Sequence, residues 1–246
     1  MAEERGSDGS RLRGAFGKAR QALSQVRASL EGVGASLEGL AAAVLMTASI
    51  YFIESQPGVG TALGTASPDL SWYGDPGNRA TVEFGLSLGT LGMVAFLWFM
   101  AVIRRRLAER EDKFYATVFL GSGIVFAILA TTAAVCAAAP TLVVRFGGEE
   151  SLNDSTVALA HGLWFGLWGV AASRFAGVFM MVTSTLGLRF GALPAWLARI
   201  GQVLGVLLVV TGAFAGPLDF LFPAWLALAS ITLFFSRRDR SARADS

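Results

Sequence analysis

The run LAHGLWFGLWGVAASRF, residues 159–175, places the chain's one histidine, His161, and an arginine, Arg174, among glycine, alanine, leucine, valine and aromatic residues. An imidazole can move a proton near neutral pH or ligate a metal, and a guanidinium can hold a carboxylate or phosphate. Thirteen residues separate the two, which on a helix is near 20 Å and nearly opposite faces, so they do not serve one site. His161 shares its depth with carboxylates at the outer ends of other spans, Glu54, Glu83 and Asp219. One reading is a neutral imidazole bonded within the bundle, and the sharper one is a polar pocket of His161, Glu83 and Asp219 open to the extracytoplasmic side. Polar groups inside a bundle find partners rather than face lipid. Arg174 lies deeper, where it snorkels, bonds local backbone, or holds a ligand or lipid headgroup.

Other chemistry is thinly represented. A single histidine excludes bis-histidine haem and multi-histidine metal sites, and no P-loop or GxGxxG occurs. Ser122 in GSG, 121–123, could be a nucleophile only if His161 reached it, yet helix rise leaves a mismatch of about 10 Å or more between them. The one cysteine, Cys136, excludes an intramolecular disulfide. No catalytic residue, cofactor or metal is expected.

The elements that must position these residues are membrane spans. Hydrophobic residues form 54% of the 246 and charged residues 15%, against roughly 25% charged in soluble domains, so the chain suits a non-aqueous solvent. Apolar stretches at 37–54, 81–103, 114–139, 156–187, 196–215 and 218–235 mostly approach the roughly 20 helical residues that cross a bilayer. This predicts an all-α, six-span bundle over 37–236, between an N-terminal segment, 1–36, and a basic tail, 237–246. Lys and Arg concentrate in the N-terminal segment, in RRRLAEREDK at 104–113, at Arg189 and Arg199, and in the tail, whereas 55–80 and 140–155 carry one arginine each. Short basic segments stay cytoplasmic, which places both termini inside. The net charge of +2 is thereby a topology signal and argues against a nucleic-acid partner.

From 1–36 into the start of the first span, apolar residues from Leu12 to Leu40 recur at alternating steps of four and three, and ASLEG occurs at 28–32 and 35–39. The stripe suits a helix on an anionic leaflet or a coiled-coil seam. Two stretches share GLxxGxxG, at 85–92 and 162–169. Gly85, Gly89 and Gly92, and likewise Gly162, Gly166 and Gly169, form small-residue stripes expected to admit a neighbouring helix. PAWLA at 194–198 reads as a helix start, and in the copy at 223–227 Pro223 falls in the first turns of a helix beginning near Pro217.

The stretch GALPAWLARIGQVLGVLLVV, 191–210, resembles a G-x-L-P-x-W-L segment in multi-pass membrane proteins of unknown function from high-GC bacteria, notably actinobacteria. The likeness extends over about 80–235, including SRF at 173–175. It implies a helical bundle in the cytoplasmic membrane and brings no activity with it. The expected function is structural, accessory or regulatory, with membrane lipids and a protein partner or homo-oligomer as contacts. A carrier or binding protein for a small apolar or amphipathic molecule is the alternative, and a membrane enzyme comes third.

Overall fold

The computed structural model describes residues 36–59, 69–107, 113–191, 193–212 and 216–244. Helix α1 runs over Ser36–Glu54, the short α2 over Leu70–Gly74, α3 over Pro76–Leu107 and α4 over Lys113–Gly147. Helix α5 spans Asp154–Arg189, α6 Ala195–Thr211 and α7 Leu221–Ala244, the last led in by a 3₁₀ turn at Gly216–Phe220. No strand occurs among the described residues. Four helices, α1, α3, α4 and α5, are long and apolar enough to cross a membrane, while Ala195–Thr211 and Leu218–Leu233 are shorter apolar helices. Each expected span coincides with a helix. The amphipathic pattern of the N-terminal segment lies outside the described residues.

Neighbouring helices pack antiparallel. Side chains at Gly85, Gly89 and Gly92 of α3 would meet Phe52, Ser49 and Leu45 of α1 in reverse order. Phe96 of α3 meets Phe126 of α4, and Phe119 of α4 meets Phe179 of α5. Backbone meets backbone between α5 and α6, where a Cβ on Gly177 would lie 2.5 Å from the Gly205 carbonyl oxygen and one on Gly205 would lie 2.7 Å from that of Gly177. Between helices in lipid there is no hydrophobic driving force, so such close backbone contacts supply the packing attraction.

The centre is aromatic. Phe96 is fully buried, with ring centroids of Phe126, Phe179 and Phe222 at 5.5, 5.1 and 5.8 Å, so α3, α4, α5 and α7 meet on one ring. Large apolar side chains face outward, among them Leu91 and Trp98 on α3, Ile128 on α4 and Val203 and Val210 on α6. Many hydroxyls in these helices bond within their own turn, while those of Thr183 and Ser184 are buried without a partner. Thr47 bonds Ala43 O, Thr131 bonds Ala127 O, Thr185 bonds Met181 O and Ser230 bonds Leu226 O, each four residues back. Ser122 does the same with Val118 O.

One end of the bundle is capped. Tyr73 of α2 is fully buried with Val144, Leu152 and Val157 in a small second core. Arg79 Nη1 donates to the carbonyls of Tyr73 and Gly74 at 2.7 Å each, fixing α2 to the start of α3. Helix α4 stops at Gly148, whose φ of +82° suits glycine and whose N–H returns to Val144 O.

Helix α5 is not a uniform α-helix. Residues Phe165–Ala172 form a π-helical segment, and Ser173 N–H reaches back five residues to Trp168 O. The carbonyls at this register change collect side-chain donors: Ser173 Oγ bonds Gly169 O, and Arg174 bonds Val170 O. A π-turn is wider than an α-turn, so it re-aims every side chain that passes through it. This corrects one packing expectation. Gly85, Gly89 and Gly92 lie against α1 and Gly169 is buried, but nothing approaches within 4 Å of where a Cβ on Gly162 or Gly166 would stand. The π-segment breaks the α-helical spacing that would have put Gly162, Gly166 and Gly169 on one face, and it turns Trp164, Trp168 and Ala172 inward instead.

Candidate functional site

The three residues expected to form one outer pocket are paired separately. Glu83 forms an ion pair with Arg145 across α3 and α4. His161 Nε2 lies 3.2 Å from the Tyr73 hydroxyl, which roofs it from α2. Asp219 Oδ1 accepts a 2.7 Å hydrogen bond from Trp168 Nε1, and the carboxyl of Glu54 at the end of α1 is near it. Arg174 bonds backbone one turn back, the local solution among those the sequence allowed.

Trp168, the partner of Asp219, also lines a void with Gly89 and Met93 of α3.

The buried centre of the site is thus Glu54, Asp219 and Trp168. Trp164 stacks on Trp168 with centroids 5.4 Å apart and planes 12° from parallel, holding the indole so that its N–H meets Asp219. Asp219 is 7% exposed, and one oxygen of Glu54, Oε1, is buried with no hydrogen-bond partner. Two voids flank Trp168. The first, about 20 Å³, is lined by Ser49, Ile53, Gly89 and Trp164 among others, and the second, about 10 Å³, touches Ser173, Leu218, Asp219 and Phe222. A water needs roughly 10–15 Å³, so these are water-sized spaces. Among the described residues no group of three or more His, Cys, Asp or Glu side chains could hold a metal ion.

In the cap, burial pushes the Tyr73 phenol up to about 12. A raised phenol pKa contributes stability below the ordinary value near 10 and loses it as pH rises through 12. The Tyr73 phenol therefore keeps its proton across the neutral range. Sequence reasoning named Glu54 as sharing His161's depth without placing it near Asp219, and missed Tyr73 and Trp168. Tyr73 lies in a loop without apolar periodicity, and Trp168 reads as one of several packing aromatics. The chain matches no family model, no curated protein and no solved structure.

Proposed function

We propose that this is a six-span protein of the cytoplasmic membrane with both termini inside, in a structural, accessory or regulatory role rather than an enzymatic one. Its contacts are membrane lipids and a protein partner or second copy of itself, without nucleic acid. One observation carries this reading: the polar side chains the sequence singles out are paired between helices. Glu83 with Arg145, His161 with Tyr73, and Asp219 with Trp168 join α2, α3, α4, α5 and the turn before α7. Groups used in this way tie a bundle rather than line an open path.

The alternative is a carrier for a small amphipathic molecule, and it requires the water-sized voids beside Trp168 to open. Proteoliposomes of the full chain, titrated with a fluorescent lipophilic cation chosen to match the two carboxyls, separate the readings. Uptake that follows lipid partition alone is expected. Saturable binding that Trp168→Ala abolishes would move the assignment to the carrier.

A further inference from the structure

Thr185 of α5 gives its hydroxyl proton to Met181 O, one turn back, as hydroxyls in helices commonly do. Its neighbours Thr183 and Ser184 do not: both hydroxyls are buried without a hydrogen-bond partner, and Ser184 is 0% exposed. On α7 the indole Nε1 of Trp225 is in the same condition, in a side chain 1% exposed. A buried donor or acceptor left unpaired costs its full desolvation, so native structures keep few of them and each calls for a partner.

Two of these three groups converge on one glycine. The place a Cβ on Gly201 of α6 would take lies 2.2 Å from Ser184 Oγ and 2.4 Å from Trp225 Nε1. The two atoms therefore stand no more than about 5 Å apart, yet neither bonds the other. A water hydrogen-bonded to both spans separations up to about 5.5 Å. The flanking residues Met180, Leu197, Ala198 and Leu226 are all 0% exposed and apolar, so they offer no side-chain partner. The indole can only donate, whereas the hydroxyl can donate or accept. One molecule that both accepts and donates satisfies the two together, and water is the smallest.

We propose that Ser184 and Trp225 form a binding site for a single buried water over Gly201. The water accepts from the indole N–H and hydrogen-bonds the serine hydroxyl, which ties α5 to α7 across α6. The site lies near the end of the bundle opposite the cap, five residues from Arg189 at the end of α5. Beside it Gln202 Nε2 of α6 donates to Thr185 Oγ1 at 3.3 Å. Together these contacts hold to α5 the two helices with the shorter apolar stretches.

The test is the thermal midpoint of the full chain in lipid nanodiscs for Trp225→Phe, Ser184→Ala and the double variant. A shared water predicts that either single substitution lowers the midpoint by about 3–6 °C, and that the second adds little to the first. Two groups that are merely unpaired predict the opposite sign. Each substitution then removes a buried polar atom without a partner and raises the midpoint, which overturns the proposal. Additive losses overturn it as well, because they deny a common partner. An experimental density map of the wild type, at a resolution that shows ordered water, needs no variant to fold. A water peak within hydrogen-bond distance of both Ser184 Oγ and Trp225 Nε1 supports the site. No peak there, or a direct bond between the two side chains, overturns it.

Discussion

Gly177→Leu is expected to leave little folded protein, and Gly177→Ala to cost roughly 3 kcal/mol, near the upper end for overpacking. The obstacle is backbone: a Cβ at Gly177 falls 2.5 Å from the Gly205 carbonyl oxygen, with Val209 and Leu208 side chains at 2.9 and 3.2 Å. No rotamer relieves a clash with a carbonyl, so α5 and α6 must move apart along their length. At Gly121 nothing lies within 4 Å of the corresponding position. Gly121→Ala should therefore be neutral or gain up to about 1 kcal/mol from helix propensity. Thermal midpoints of purified protein in one detergent check both, with the Gly177→Ala drop near 10 °C. Equal midpoints for the two alanine variants would contradict the described approach of α5 and α6.

The second large effect is expected at Phe96. Its ring is the meeting point of four helices and is fully buried. In a soluble core Phe→Ala costs about 3–5 kcal/mol, part of it the transfer of the ring from water. A membrane bundle loses less of that part, because the separated helix leaves the ring in lipid. What remains is the cavity and the lost contacts with Phe126, Phe179 and Phe222, so Phe96→Ala should cost about 2–3 kcal/mol. Phe96→Leu, which fills most of the space, should cost less than about 1.5 kcal/mol. Equilibrium unfolding of the two variants in mixed micelles distinguishes these values.

The helices were legible because apolar runs of sufficient length have one stable form in lipid. The glycines of α3 were legible too, since a regular helix keeps i, i+4 and i+7 on one face. The same reasoning failed for Gly162 and Gly166 because no residue pattern announced the π-segment at Phe165–Ala172. The candidate site was half legible. Glu54, Asp219 and His161 stood out as polar groups in apolar surroundings, but their partners depend on depth, and depth depends on how far each helix reaches. Asp219 was expected beside His161 and Glu83, whereas its carboxyl accepts from Trp168 of the π-segment. Tyr73 finds His161 through the fold of α2, a tertiary contact across 88 residues of chain.

The central claim, six crossings with the α6–α7 turn on the capped side, turns on two helices whose apolar stretches, Ala195–Thr211 and Leu218–Leu233, are shorter than the roughly 30 Å hydrocarbon layer. The most direct measurement fuses a reporter active only outside the cytoplasm after Gly216 and compares it with fusions after Gly148, Arg189 and Ser246. The account predicts activity after Gly216 and Gly148, and none after Arg189 and Ser246. An inactive Gly216 fusion beside an active Gly148 fusion would contradict it, leaving four crossings and an α6–α7 hairpin that enters and leaves by the cytoplasmic face.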